Sequence, residues 1–296
     1  MRRAMLALWA VALTVSAAAG ELYVLPVVAD GVAGRFGSLW ETHIRIVKVN
    51  AADTIVIRRA WVCLEGGGFV DNPDTAPAWE LEEANSITGG WNLDLTAADV
   101  LVGTGAQLGG VALDVEGGEL LIDATIVDVH LGGFAWGGPP LPYGIGQTYG
   151  AARAPLEGAS HLSWIGGCYG YDIRQHCDDN YRNNIGLLNP NPQPLAVELE
   201  VIQFADTRLD GTPGATAWLP PFGWRQADFP LNEPGSLWTP FQVWSFPRYG
   251  VMNLAPQSDL PYYAYVSVVY TSPEGATTPR ISDPSFQLAE PGQIVY

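Results

Sequence analysis

Hydrophobic and polar residues alternate along several short stretches of the chain, which is the pattern of half-buried β-strands. The clearest alternation spans residues 195–201 and predicts that Leu199 faces a hydrophobic core while Glu198 and Glu200 face water. Strands are predicted on this pattern at 42–48, 54–63, 119–129, 183–189, 195–204, 241–245 and 262–271. One helical turn is predicted within 94–101, with Thr96 as its N-cap. The pattern indicates an all-β protein.

Two stretches of the chain repeat one pattern about 140 residues apart, at 40–57 and 181–201. Each contains an aromatic residue, a short alternating strand, a turn marked by Asn50 or Asn189, and a second alternating strand. We interpret each stretch as a β-hairpin. Their repetition predicts two similar β domains, each of the usual size of one module.

Glycine and proline are concentrated between residues 132 and 158, where no strand pattern is present. This stretch predicts a boundary between a first β-sandwich domain at 21–145 and a second at 146–296, which ends in an extended tail. The stretch 64–94 is long for a connection between two strands, and we predict an elaborated loop rather than a strand pair there.

Residues 1–20 have the organisation of a secretory signal peptide. Arg2 and Arg3 precede an apolar run, which ends in small residues before Gly20. The run is too short for a typical membrane-spanning helix. We therefore expect an exported protein without a membrane span after leader removal. Its expected location is extracellular or at the cell surface, with the periplasm as the alternative.

The charge balance narrows the choice of partners. The chain has 14 basic and 31 acidic residues and a net charge of −17; removal of the leader takes away two arginines and changes this to −19. A surface this acidic repels nucleic acids, so nucleic-acid binding is not expected. The remaining partner classes are a protein or a glycan at the cell surface.

Five segments resemble parts of one protein family. They are Trp40–Thr42 leading to Asn50, Gly144–Gln147 before Pro155, Tyr181–Asn189, Leu219–Gln226 and Tyr263–Val268. In these segments the chain is similar to exported bacterial proteins, abundant in soil acidobacteria and their relatives, that carry paired immunoglobulin-like modules. The similarity is dense over 142–270, while the 64–94 stretch and the insertion from Cys168 to Cys177 depart from the family pattern. The resemblance implies two tandem immunoglobulin-like β-sandwiches and secretion, and it supplies no catalytic residues.

The three cysteines divide into a pair and a single thiol. Cys168 and Cys177 lie in a polar loop of an exported chain, which predicts a disulfide between them. Zinc binding by these two cysteines and His176 is the alternative. Cys63 lies on a predicted strand, in phase with apolar residues, and should be a buried, inert thiol.

Tryptophans are the main candidates for ligand contact, because aromatic rings on loops stack on sugars or seat protein partners. The candidates are Trp79, Trp91, Trp136, Trp164, Trp238 and Trp244. The first two lie beside Glu80, Glu82 and Glu83, a composition found in sugar-binding clefts. The alternatives are a solvated acidic loop and rings that pack long loops onto the sandwich.

Acidic turns are candidate calcium sites, since calcium takes oxygen ligands from such segments. The candidate residues are Asp71, Asp74, Asp178 and Asp179. The alternative is that these residues serve as ordinary turn formers. No other cofactor is expected.

No catalytic constellation is recognisable in the sequence. The four histidines are His43, His130, His161 and His176, and they form no metal-binding motif. Ser160, His161 and Ser163 are close in sequence but lack the glycine-flanked elbow of a serine hydrolase. The leading hypothesis is a non-enzymatic structural or adhesion protein that binds through loops or sheet edges. A carbohydrate-binding module is the alternative, and a secreted hydrolase is third.

Overall fold

The computed structural model describes residues 20–33, 39–82, 91–129, 146–166, 181–203, 214–229, 249–270 and 285–293. The predicted all-β class is confirmed, since these residues form strands and one short helix. The strands of the first half are β1 Glu21–Ala29, β2 Val32–Ala33, β3 Leu39–Lys48, β4 Ile55–Cys63, β5 Phe69–Val70, β6 Ala78–Leu81, β7 Asn92–Thr96, β8 Leu108–Glu116, β9 Leu120–Asp128 and β10 Gly146–Gly150. Those of the second half are β11 Ser160–Gly166, β12 Tyr181–Leu188, β13 Leu195–Gln203, β14 Gly214–Leu219, β15 Trp224–Phe229, β16 Tyr249–Pro256, β17 Tyr263–Tyr270, β18 Ser285–Leu288 and β19 Glu290–Pro291; the helix is α1 Ala97–Val100.

The strands form four antiparallel sheets. In the first half, sheet A has the order β1-β8-β4-β5, with β6 also paired to β4, and sheet B has the order β10-β9-β3-β2, with β7 also paired to β3. In the second half, sheet C has the order β15-β12-β17-β18 and sheet D has the order β14-β13-β16-β11-β19.

Each pair of sheets encloses a hydrophobic core. Ile57 of sheet A and Ile44 of sheet B belong to one buried cluster, and Leu187 of sheet C and Leu199 of sheet D belong to a second. Leu199 is buried and Glu198 and Glu200 are exposed, which confirms the predicted faces of that strand. Each half is therefore a two-layer β-sandwich.

The repeated stretches are not β-hairpins, so that interpretation is wrong. In the first stretch β3 lies in sheet B and β4 in sheet A; in the second, β12 lies in sheet C and β13 in sheet D. Each stretch is an arch whose two strands face each other across a core. A hairpin and an arch give the same alternation in the sequence. In both, each strand turns one apolar face toward the core; they differ only in whether the second strand lies beside the first or in the opposite sheet.

A buried lysine holds the turn of the first arch. Lys48, the single lysine of the chain, is 2% exposed. Its ammonium donates hydrogen bonds to the carbonyl oxygens of Ala51 at 3.1 Å, Asp53 at 2.8 Å and Glu82 at 2.6 Å. All three donors of the ammonium are thereby satisfied by the main chain, which offsets the cost of burying the charge.

Two asparagines hold the turn of the second arch. The buried Asn189 amide donates to the carbonyl oxygens of Gln193 at 2.7 Å and Pro220 at 2.8 Å. Its Oδ1 accepts from the main-chain N–H of Asn191 at 3.1 Å and from the Asn191 side-chain amide at 2.7 Å. The arches thus share a shape but are fixed by different side chains.

Sheet C is buried on both faces. In β17, Ala264 and Val266 belong to the second core, while Tyr263 and Tyr265 belong to the first. In β12 the neighbouring residues Leu187 and Leu188 divide in the same way. The two sandwiches therefore meet through a shared apolar layer rather than through a linker alone.

Hydrogen bonds also join the two halves. The Trp224 indole N–H donates to the Pro26 carbonyl at 2.9 Å, and its main-chain N–H donates to the Leu64 carbonyl at 2.8 Å. The Ser267 hydroxyl donates to Oε1 of Gln147 at 2.5 Å. These bonds satisfy polar groups that the contact between the sandwiches removes from water.

Three stacked rings complete this contact. Phe286 of β18 stacks on Tyr149 of the first half, with 4.2 Å between ring centroids, and on Tyr265 of the second half, with 5.1 Å. Burial raises the pKa of both tyrosines, so both hydroxyls stay protonated at an alkaline pH at which an exposed tyrosine ionises.

The stretch 64–94 contains strands, so its prediction as a loop without a strand pair is wrong. Strand β5 and strand β6 both pair with β4 in sheet A, and β7 pairs with β3 in sheet B. These strands have two to five residues each, which is too short for alternation to be visible.

The predicted helical turn is present. Helix α1 follows Thr96 as its N-cap, and the Asp99 carboxylate accepts hydrogen bonds at 2.8 Å from both the main-chain N–H and the hydroxyl of Thr96. No helix among the described residues is long and apolar enough to cross a membrane.

The region between the sandwiches also contains a strand that the sequence pattern did not indicate. Strand β10 pairs with β9 of sheet B, and Ala152 bridges to Val24. Leu156 then bridges to Tyr262 of the second half. The chain therefore passes from one sandwich to the other over residues 153–155.

The C-terminal segment adds strands to both sheets of the second sandwich. Strand β18 pairs with β17 in sheet C, and β19 pairs with β11 in sheet D. The predicted strand at 241–245 and the leader at 1–19 lie outside the described residues.

Candidate functional site

An exposed tryptophan lies on the outer face of sheet D. Trp218 belongs to β14, the edge strand, and is 60% exposed. It pairs with Ala196 of β13, which is buried although it lies on the same outer face. The neighbouring cross-strand pair on this face is Thr216 with Glu198. We call Trp218, Ala196, Thr216, Glu198 and Gln257 the Trp218 face.

A glutamine orients the carboxylate of this face. The Gln257 amide donates to Oε1 of Glu198 at 2.9 Å, and its main-chain N–H donates to the Ala196 carbonyl at 2.9 Å. Glu198 and Trp218 are diagonal neighbours on an antiparallel pair, a separation of about 7–8 Å that long side chains bridge. The face therefore combines an aromatic ring with an exposed hydrogen-bond acceptor.

Trp218 was not among the tryptophans selected from the sequence. The segment 214–219 has apolar residues at Ala217 and Leu219, both buried, with Thr216 and Trp218 at the alternate positions. That alternation places Trp218 outward once the segment is assigned as a strand. The signal was weak because alanine and glycine fill half of this short segment.

The two tryptophans of the acidic stretch have different surroundings. Trp79 lies on β6, opposite Ile57, and is partly buried against the first core. Trp91 is 49% exposed, and its carbonyl accepts a main-chain bond from Lys48 at 2.9 Å. Trp79 is thus a packing residue, as the alternative interpretation held, while Trp91 is accessible to a ligand.

The acidic residues beside these tryptophans do not form a described cluster. Glu80 and Glu82 are exposed, and the Glu82 carbonyl is bound by Lys48. Glu83 lies outside the described residues.

The side chains of the other four candidate tryptophans lie outside the described part of the structure. Trp136, Trp238 and Trp244 lie outside the described residues. Trp164 lies on β11, and its side chain is outside the described part of the structure.

The carboxylate of Asp71, a predicted calcium ligand, faces an arginine. Arg59 Nε lies 2.7 Å from Asp71 Oδ2 and Arg59 Nη2 lies 2.9 Å from Oδ1, so the pair is bidentate. Arg59 is 4% exposed and also donates to the carbonyl oxygens of Val100 and Val102. Arg59 thereby joins β4 to Asp71 and to the main chain at the end of α1.

Of the other candidate calcium ligands, Asp74 lies among the described residues. Asp74 is exposed, and its main-chain N–H donates to Oδ1 of Asn72 at 3.0 Å, as in an ordinary asparagine turn. Within the described ranges, no group of three or more histidine, cysteine or acidic side chains is placed to hold a metal. Asp178 and Asp179 lie outside those ranges, so calcium there stays a prediction.

The serine and histidine of the third hypothesis lie on opposite faces of β11. The Ser160 hydroxyl is buried and lies 2.7 Å from the Tyr262 hydroxyl. His161 Nδ1 lies 3.0 Å from the Gly292 carbonyl on the outer face. The two side chains are therefore not arranged as nucleophile and base. His43 is exposed on sheet B, and His130 and His176 lie outside the described residues.

The buried thiol is confirmed at Cys63. Its Sγ donates to the Asn189 carbonyl at 3.3 Å, and burial raises the pKa of the thiol far above its usual range. A thiol in this state is a poor nucleophile. The predicted disulfide between Cys168 and Cys177 lies outside the described residues.

No protein-family model matches the chain. A search of curated proteins also gave no significant match.

Proposed function

We propose that this chain is an exported, non-enzymatic β-sandwich protein that binds a partner at the cell surface or in the extracellular medium. The observation that carries the proposal is the exposed Trp218 on the edge strand of sheet D. Large aromatic side chains are enriched at binding surfaces, and a ring left in water on the outer face of a sheet is available for contact.

The use of the other polar side chains supports a binding role over catalysis. Lys48 donates to main-chain carbonyl oxygens, Arg59 pairs with Asp71, and the Ser160 hydroxyl is hydrogen-bonded to that of Tyr262. These are structural uses of groups that an active site would direct toward a substrate. Export is supported by the charged and apolar leader and by the acidic composition of the chain.

We further propose that each sandwich is an immunoglobulin-like module. Two features support this: each half packs two antiparallel sheets face to face, and the repeated arch sends consecutive strands to opposite sheets in both halves. Crossing connections of this kind are typical of such sandwiches.

A sedimentation assay tests the function. Labelled protein without its leader is mixed with bacterial cells and with purified extracellular polysaccharide, and the pelleted fraction is measured beside ester and glycoside hydrolysis. We expect saturable binding without turnover. Turnover, or no binding to any of these surfaces, would contradict the proposal.

A further inference from the structure

We propose that the Trp218 face is a subsite for a neutral glycan whose sugar rings present a flat apolar side, such as a β-1,4-linked glucose or N-acetylglucosamine chain. This inference deepens the proposed function and rests on it. It differs from the sequence-based hypothesis, which assigned glycan contact to other tryptophans.

The aromatic half of the subsite is the Trp218 ring. Trp218 is 60% exposed, and among the described strands of sheet D none pairs with β14 on its open side. Its cross-strand neighbour is Ala196, the smallest chiral side chain, so β13 places no bulky side chain directly opposite Trp218. A sugar with equatorial hydroxyls has a face of C–H groups that packs on such a ring.

The polar half of the subsite is the Glu198 carboxylate. The Gln257 amide donates to Oε1 of Glu198 at 2.9 Å, and both side chains are exposed, so the carboxylate is accessible to a ligand. Sugar hydroxyls are hydrogen-bond donors, and an ionised carboxylate is a strong acceptor. The diagonal register places this acceptor beside a sugar stacked on Trp218.

The charge of the face selects among ligand classes. Glu198 and Glu200 are both exposed on the outer side of β13, within a chain of net charge −17. This field disfavours glycans that contain uronic acids or sulfate. Exposed carboxylates at the centre of the face also disfavour a protein partner, because the centres of protein interfaces are depleted in charged residues.

Calorimetric titration of the full chain without its leader tests the subsite, with cellohexaose, chitohexaose and polygalacturonate as probes. We expect binding of at least one neutral hexasaccharide and weaker or no binding of polygalacturonate. Trp218→Ala should reduce affinity at least about tenfold, Trp218→Phe less, and Glu198→Ala severalfold. Leu121→Ala, which removes an exposed apolar side chain from the other sandwich, should leave affinity unchanged.

The other outcomes separate failure of the subsite from failure of the proposed function. Unchanged affinity in Trp218→Ala with loss in Trp91→Ala would overturn the subsite but keep the proposed function. Failure of the wild-type protein to bind either neutral hexasaccharide, with retained sedimentation on cells, would have the same meaning. Tighter binding of polygalacturonate would refute the assignment to neutral glycans. Failure of sedimentation as well would overturn the proposed function itself.

Discussion

Replacement of Trp224 should show how strongly the two sandwiches depend on each other. This residue is 4% exposed in the first hydrophobic cluster although it belongs to the second half, and its indole donates to the Pro26 carbonyl at 2.9 Å. Burial of a tryptophan removes about 150–250 Å² from water, which is worth roughly 4–6 kcal/mol at about 25 cal/mol/Å².

Two variants separate packing from hydrogen bonding. Trp224→Phe keeps most of the apolar area but leaves the Pro26 carbonyl without this donor, so we expect a loss of about 1–3 kcal/mol in the free energy of unfolding. Trp224→Ala also opens a cavity at the contact between the sandwiches, and we expect a loss of about 4–5 kcal/mol.

Urea unfolding followed by circular dichroism measures both losses. Trp218→Ala is the matched control, because it removes the same side chain from an exposed position of the same half and should change stability by no more than about 0.5 kcal/mol. We also expect Trp224→Ala to divide a single unfolding transition into two. If Trp224→Ala were as stable as the control, the shared core would not couple the two sandwiches.

Four further changes test other parts of the structure. Leu199→Asp should prevent folding of the second sandwich, because a carboxylate would enter its core; soluble protein with native circular dichroism would contradict this. Lys48→Met should cost on the order of 2–4 kcal/mol in urea unfolding, since three main-chain carbonyls lose the ammonium, and an unchanged midpoint would show that these bonds are not stabilising. Burial raises the pKa of Tyr263 to about 12, so the unfolded state loses its proton first and stability should fall as pH rises from 10 toward 12; unfolding titrations that are flat over this range would refute the burial argument. The Cys63 thiol should resist iodoacetamide in native protein and react after unfolding, as mass spectrometry of its peptide would record; rapid native labelling would contradict its burial.

Alternation in the sequence predicted which side chains face a core but not which strands lie side by side. The inward position of Leu199 is predicted correctly, whereas the arch that contains it is wrongly predicted to be a hairpin. The reason is physical: the inward face of a strand is set by local chain geometry, while its lateral partner is chosen by contacts with distant residues. The same limit applies to 40–57, where β3 pairs with β9 rather than with β4.

The ion pair between Arg59 and Asp71 could not be predicted from the sequence. Asp71 is a candidate calcium ligand or an ordinary turn residue from the sequence alone, because the pairing of a buried guanidinium with a distant turn leaves no local pattern. Trp218 was missed for the opposite reason. Its outward position follows from simple alternation, but the strand that carries it is short and rich in small residues.

Sheet C imposes two sets of constraints on neighbouring positions of one strand. Tyr263 packs in the first core and its neighbour Ala264 packs in the second. A substitution at Tyr263 should therefore disturb the first sandwich, and one at Ala264 the second. A fragment cut at 153–155 would leave the aromatic side of this sheet in water and would be prone to aggregate. We therefore expect either sandwich, expressed alone, to need a new cover for the surface that the other supplies in the full chain.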